Sequence, residues 1–240
     1  MTQILSELSG LVLCKDDVQG FGVPEYSMET KEGVKPPFWS YKRKMKLKPE
    51  EVVKLFLEDN GYLVMGEEGL LVRAFYSLMC LVAYEENENG PMVTTTRSGV
   101  EKISIKPCFI ESPNSAFTRN HICSVLRKGS IESIIEYIEC FGRIVHWKGP
   151  RGFLPDEIKL LREFLSAFGV DSLLTMFEVA SKEISGLSGW PDIVAIKNNS
   201  VSFVEVKTTD QLTKRQKDWL SMYKRKLGIE YSIIRLKKMN

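Results

Sequence analysis

Apolar positions recur along this chain with helical spacing in some stretches and with strand-like density in others, and Gly and Pro mark the changes. Pro49-Glu-Glu-Val-Val-Lys-Leu-Phe-Leu-Glu-Asp-Asn-Gly61 has Pro at the first helical position, acids in the first turn and Gly past the end, which predicts a short helix. Leu70 to Tyr84 is apolar nearly all round, as expected of a helix buried in an interior. Ser115 to Phe141 reads as two helices separated by Lys128-Gly129-Ser130, and Pro155 to Phe168 as an amphipathic helix closed by Gly169. Asp171 can cap a further helix, Ser172 to Glu183. Residues 85–113 are turn-rich with brief β-like runs, and residues 1–48, spotted with Gly and Pro, read as an irregular, strand-poor segment. The pattern changes at Gly186. From there it predicts a strand (Ile193–Lys197), a turn at Asn198-Asn199, a strand (Val201–Lys207), a helix (Lys214–Leu227) and, after Gly228, a strand (Ile229–Leu236). Thr213-x-x-Gln216 supplies a capping box for the helix.

Composition places the chain among globular proteins: 240 residues, 43% hydrophobic and 27% charged, enough for one domain or two small ones. No apolar run approaches the roughly 20 residues needed to span a bilayer. The first residues lack a basic n-region and carry Glu7 inside their apolar stretch, so an intracellular protein without membrane attachment is expected. Five cysteines with no C-x-x-C pair argue for reduced thiols. Net charge is only +2, but residues 201–240 hold ten Lys/Arg against four Asp/Glu, and a second basic run spans Tyr41–Lys48. Lys42, Arg43, Lys44, Lys214, Arg215, Lys217, Lys224 and Arg225 are therefore candidate phosphate contacts, or else a solvated face. No G-x-x-x-x-G-K-[ST] loop appears, so ATP use is not implied.

The candidate chemistry lies near the C-terminus. In Val201-Ser-Phe-Val-Glu-Val-Lys207 the flanking residues make a buried strand, yet Glu205 and Lys207, two apart, put two charges on one face of it. Charges in such a strand should be paired, solvated in a cleft or bound to a metal. Asp192 opens the preceding strand, and a hairpin can return the chain so that Asp192 comes alongside Glu205. Two hard oxygen ligands and a lysine suit phosphodiester hydrolysis with Mg²⁺ or Mn²⁺, the lysine orienting water or offsetting developing charge. The competing reading is a cross-strand ion pair facing water. Gln216 shares a helix face with Trp219, Tyr223 and Leu227; it can serve the site, the capping box, or both.

Asp192 followed after twelve residues by Glu205-Val-Lys207, with Pro191 in front, resembles the PD-(D/E)XK nuclease signature. Gly189-Trp-Pro-Asp-Ile, Val204-Glu-Val-Lys, Asp210-Gln-Leu-Thr, Gln216-Lys-Asp-Trp219-Leu and Gly228, in that order, resemble its VRR-NUC branch. Glu67-Glu68-Gly69, directly before the apolar helix, is similar to the Fanconi-associated nuclease subfamily, where such a Glu supplies an upstream metal-binding carboxylate. Glu68 is the matching residue and Glu67 the fallback, while ordinary acidity at a helix start is the alternative. The resemblance implies an α/β restriction-endonuclease-like core with a mixed central sheet, flanking helices and a helical insertion. Residues 1–48 would precede a nuclease domain over 49–240, with 91–170 as the insertion and 186–240 as the catalytic core. It further implies a metal-dependent, structure-specific DNA endonuclease acting on flapped or branched DNA, with Glu68, Asp192 and Glu205 as metal ligands, and Lys207 and Gln216 completing the catalytic set. A dimeric Holliday-junction resolvase and a non-catalytic junction-binding module are the alternatives; a monomer is slightly favoured.

Overall fold

In a computed structural model of the chain, the described residues are 4–32, 38–66, 70, 71, 73, 74, 93–95, 101–103, 126–142, 153–180 and 189–239. The chain divides into two compact units, one of residues 1–68 with 188–240 and the other of residues 69–187.

The first unit is built on a mixed sheet. Its strands are β1 (Val12–Lys15), β2 (Glu25–Glu32), β3 (Trp39–Tyr41), β4 (Lys44–Leu47), β5 (Leu63–Met65), β8 (Ile193–Lys197), β9 (Ser200–Lys207) and β10 (Glu230–Lys238), while β6 (Val93–Thr95) and β7 (Glu101–Ile103) form a separate antiparallel hairpin in the other unit. The order across the large sheet is β4-β3-β2-β10-β9-β8-β5, with β1 also on β2. β10 runs parallel to both β9 and β2, and the remaining pairs are antiparallel. Residues 1–48 are thus not an irregular segment. They supply four of the sheet's strands, which are hard to read in the sequence because β1 is exposed throughout and because β3 and β4 turn at Lys42, a non-glycine residue at φ 53°.

Helix α1 (Pro49–Asp59) starts where expected, with the Glu51 carboxylate accepting the Lys48 amide at 2.6 Å. Its Val52, Val53, Phe56 and Leu57 form one core with Tyr26, Met28, Ile193, Ala195, Val204, Val206, Ile234 and Leu236, the last six of these lying on β8, β9 and β10. The odd-numbered face of β9 and β10 meets helix α5 (Lys214–Leu227), whose Trp219 lies against Phe203, Tyr231, Tyr223 and Trp190. The Asn198-Asn199 turn has both residues at positive φ, 50° and 60°, as a tight β8–β9 hairpin demands.

The second unit contains α2 (Ile131–Gly142), α3 (Pro155–Phe168) and α4 (Val170–Ala180). Arg162 of α3 pairs with Glu132 of α2 at 3.0 Å, and Arg73 pairs with Glu157 at 3.0 Å while lying over the Phe153 ring. Its β6–β7 hairpin falls within the brief β-like runs expected over 85–113, so the 91–170 insertion is not helical throughout. Of the apolar segment from Leu70 to Tyr84 only Leu70, Leu71, Arg73 and Ala74 are described, and these are helical; residues 115–125 of the two-helix stretch lie outside the described residues. Among the described residues no helix is long and apolar enough to cross a membrane.

Candidate active site

Backbone pairing brings the two acids together. Ile193 pairs with Val204, so Asp192, one residue earlier, stands beside Glu205 on the face that meets α5. Asp192 is held there by the Val206 amide, which donates to its Oδ2 at 2.7 Å. The approach to Asp192 is fixed by Gly189, at φ +75°. A Cβ on it would lie 2.4 Å from the Arg215 carbonyl oxygen and 2.9 Å from the Gln216 nitrogen, so the turn packs directly on the first turn of α5. Trp190 follows it into the aromatic cluster around Trp219.

Glu205 is 1% exposed and Lys207 5%. The surface ion pair is therefore ruled out in favour of a buried cluster. The Lys207 ammonium is 2.9 Å from Glu205 Oε1, 3.1 Å from Asp210 Oδ2 and 3.2 Å from Gln216 Oε1, an acceptor for each of its three hydrogens. Gln216 donates its amide to Glu205 Oε1, and its own oxygen accepts the Thr213 amide at 2.9 Å. It completes the capping box and also touches Glu205 and Lys207, because position three of that box points from the start of α5 onto the charged face of β9. Tyr231, on β10, donates its hydroxyl to Glu205 Oε2 at 3.3 Å.

The electrostatics of this cluster are those of two acids forced together. Burial, and then the charge of Asp192, push Glu205 from an ordinary 4.5 up to about 8, although Lys207 pulls the other way. Burial also raises Asp192, opposed by the Val206 amide. The interaction between the two carboxyls raises Glu205 further and works to lower Asp192. Burial disfavours the Lys207 charge, but Glu205 and then Asp210 outweigh it and hold the ammonium above its usual value. Buried Tyr231 is raised well above the ordinary phenol range.

Sequence reasoning missed three of these neighbours. Asp210 is visible there only as part of a motif string and proves to be a direct partner of Lys207. Tyr231 had the signal of an odd position on a strand beside β9. Glu50, in the first turn of α1, contributes to raising Asp192 through its charge, and acids at a helix start are too common to single it out. Glu67 and Glu68 lie outside the described residues. Met65 pairs with Val194, so the end of β5 that leads to them is the end beside Asp192. Among the described residues no group of three or more His, Cys, Asp and Glu side chains is placed to hold a metal ion.

The basic residues are scattered. Lys42, Arg43 and Lys44 are exposed in the β3–β4 region, with Lys42 paired to Asp59 at 2.6 Å. Lys214 and Arg215 are exposed at the start of α5 and Lys217 is partly exposed; the side chain of Arg225 lies outside the described residues. Lys224 is half-buried and donates to the carbonyls of Phe21 (3.0 Å) and Gly22, and burial lowers its pKa. It clamps the loop before β2.

Comparisons with known proteins agree with this geometry. Residues 143–237 match the family model described as the VRR-NUC domain. The fold is similar to crystal structures of paFAN1 bound to 5′ flap DNA with a gap. With a two-nucleotide flap the TM-score is 0.61, at 19% identity over 89% of this chain and 38% of the other; with a one-nucleotide flap it is 0.64, at 19% identity over 91% and 38%. The chain thus spans well under half the length of the structures it resembles. Among curated protein sequences, none matches.

Proposed function

Taking residues 143–237 as a VRR-NUC domain, we propose that the chain is a divalent-metal-dependent nuclease cutting phosphodiester bonds in flapped or branched DNA. The observation that carries this reading is the convergence of Asp192, Glu205, Lys207 and Gln216 at one end of the sheet. Two buried carboxyls with raised pKa values form a site that gains by accepting a cation, and their oxygens are the donors Mg²⁺ and Mn²⁺ prefer. Such an ion supplies charge stabilisation at the phosphate and a more acidic water. Glu68 is the third ligand of the proposal. Lys207, oriented by Gln216 and Asp210, places its ammonium where its charge can offset that developing on the phosphate. Tyr231 fixes Glu205 from the sheet side. Lys214, Arg215 and Lys217, at the mouth of the same helix, contact the DNA backbone. The 5′ flap carried by paFAN1 is the first substrate to try.

A panel of labelled single strand, duplex, 5′ flap, 3′ flap and four-way junction, incubated with Mn²⁺, tests the reading. Cleavage of a branched member is expected, abolished by EDTA and reduced by orders of magnitude in Asp192→Ala, Glu205→Ala and Lys207→Ala, with DNA binding retained. Full activity in Asp192→Ala, activity surviving exhaustive EDTA, or no cleavage of any member would each overturn it.

A further inference from the structure

We propose that Arg235 and Glu25 are positioning residues that anchor the Thr208–Asp210 loop and thereby hold Lys207 in its working place. Arg235 lies directly opposite Lys207 in the parallel β9–β10 register, so the two cations are neighbours on one face of the sheet. They are kept apart by having different partners. The Arg235 Nε and Nη2 donate to the two oxygens of Glu25 at 3.0 and 3.2 Å, while its Nη1 donates to the carbonyls of Thr208 (2.7 Å) and Asp210 (3.1 Å). One guanidinium therefore ties β2 to the loop leaving β9. Asp210, whose main chain is held in this way, presents its carboxylate to the Lys207 ammonium at 3.1 Å, and the Thr208 amide steadies the other oxygen at 3.4 Å.

The pair is expensive unless its geometry matters. Glu25 is 5% exposed and the Arg235 side chain 15%, and a buried ion pair contributes little to stability over apolar residues of similar size. What it does supply is direction: a planar fork with five donors can satisfy a carboxylate and two carbonyls at once, which a lysine at the same place cannot. With Glu25 neutralising Arg235, the Asp210 carboxylate has Lys207 as its cationic partner.

The role assigned to Lys207 in cleavage rests on the nuclease reading above, whereas the anchoring itself does not, and the experiment separates them. Wild type, Arg235→Lys and Glu25→Gln are treated with a limiting amine-acylating reagent and the modification of Lys207 is followed by mass spectrometry, alongside cleavage of a 5′ flap in Mn²⁺. Arg235→Lys keeps the charge and the stem, and the melting temperature of each variant checks that it is folded. Both variants are expected to acylate Lys207 several-fold faster, while a half-buried lysine elsewhere in the same sheet unit, Lys224, reacts as in wild type. Cleavage should fall by about 10- to 100-fold in kcat with DNA affinity unchanged. Arg235→Lys combined with Asp210→Asn should be no slower than the slower single variant, since both act through one path. Unchanged Lys207 acylation in both folded variants would overturn the proposal even if cleavage fell. Faster acylation in a chain that cleaves nothing would uphold the anchoring and remove the nuclease reading instead.

Discussion

At the scale of single residues, the buried carboxyl of Glu205 gives stability a definite pH dependence. Its pKa is raised from about 4.5 to about 8 on folding, so the native chain holds this proton more tightly than the unfolded chain. The contribution of Glu205 to metal-free stability is therefore fullest below about pH 4.5 and declines as pH rises through about 8, by up to about 1.4 kcal/mol per unit. Asp192, also raised, acts in the same direction, while Lys207, held above its usual value, titrates beyond this window. Melting at pH 6 and pH 8.5 without metal should therefore show a lower temperature at pH 8.5. Glu205→Gln should flatten most of that difference and be the more stable protein at the higher pH. Mn²⁺ should raise the wild-type melting temperature more at pH 8.5 than at pH 6. An unaltered slope in the variant would show that another group is responsible.

Among elements, helix α5 does most to arrange the site. Its first turn supplies Gln216, receives Gly189 against its backbone, and its middle holds Trp219 among four rings. Gly189→Ala puts a methyl group 2.4 Å from a carbonyl at a strained φ, so a loss of about 1–3 kcal/mol is expected in chemical denaturation, with cleavage impaired because Asp192 follows three residues later. Trp219→Ala should cost about 3–5 kcal/mol by emptying the cluster. On the proposed reading, the basic residues of the same helix fall into two sets. Replacing Lys214, Arg215 and Lys217 with Gln should weaken binding to all DNA alike and reduce the slope of log affinity against log salt by roughly 0.9 for each phosphate no longer neutralised. Lys224→Ala should leave that slope alone and lower the melting temperature, because its ammonium serves the Phe21 and Gly22 carbonyls. Unaltered affinity and slope in the first variant would identify a merely solvated face. Much of this helix is legible in the sequence: Thr213, Gln216 and Gly228 mark its ends by local chemistry, and Asn198-Asn199 marks the hairpin before it. What is not legible depends on partners distant in sequence. Glu25 reads as a solvent-facing acid in Glu-Tyr-Ser-Met-Glu-Thr-Lys-Glu, and only the sheet places it under Arg235.

The molecule as a whole depends on strands made far apart. β2 lies between β3 and β10, so segment 25–32 finds its parallel partner only in segment 230–238. The sequence conceals this, because Glu25-Tyr26-Ser27-Met28 alternates like a half-exposed edge strand for only a few residues, whereas β2 is central and buries its polar face, Glu25 and Ser27, as well as Tyr26 and Met28. A chain ended after Gly228 still possesses Asp192, Glu205, Lys207 and Gln216, yet it should be protease-sensitive and inactive, since β2 and β9 would each face solvent with an unpaired edge and Glu205 would lose Tyr231. Limited proteolysis beside the cleavage assay checks this, and a compact, active truncation would refute it. The same arrangement bears on synthesis. While the ribosome is still translating the middle of the chain, the early strands have emerged with an open seam and nothing to fill it, which makes the nascent protein a client for chaperones that shield bare strand edges. The residues of the proposed cutting centre are all translated before β10 closes that seam, so the chain is expected to become competent only once β10 has been made and docked.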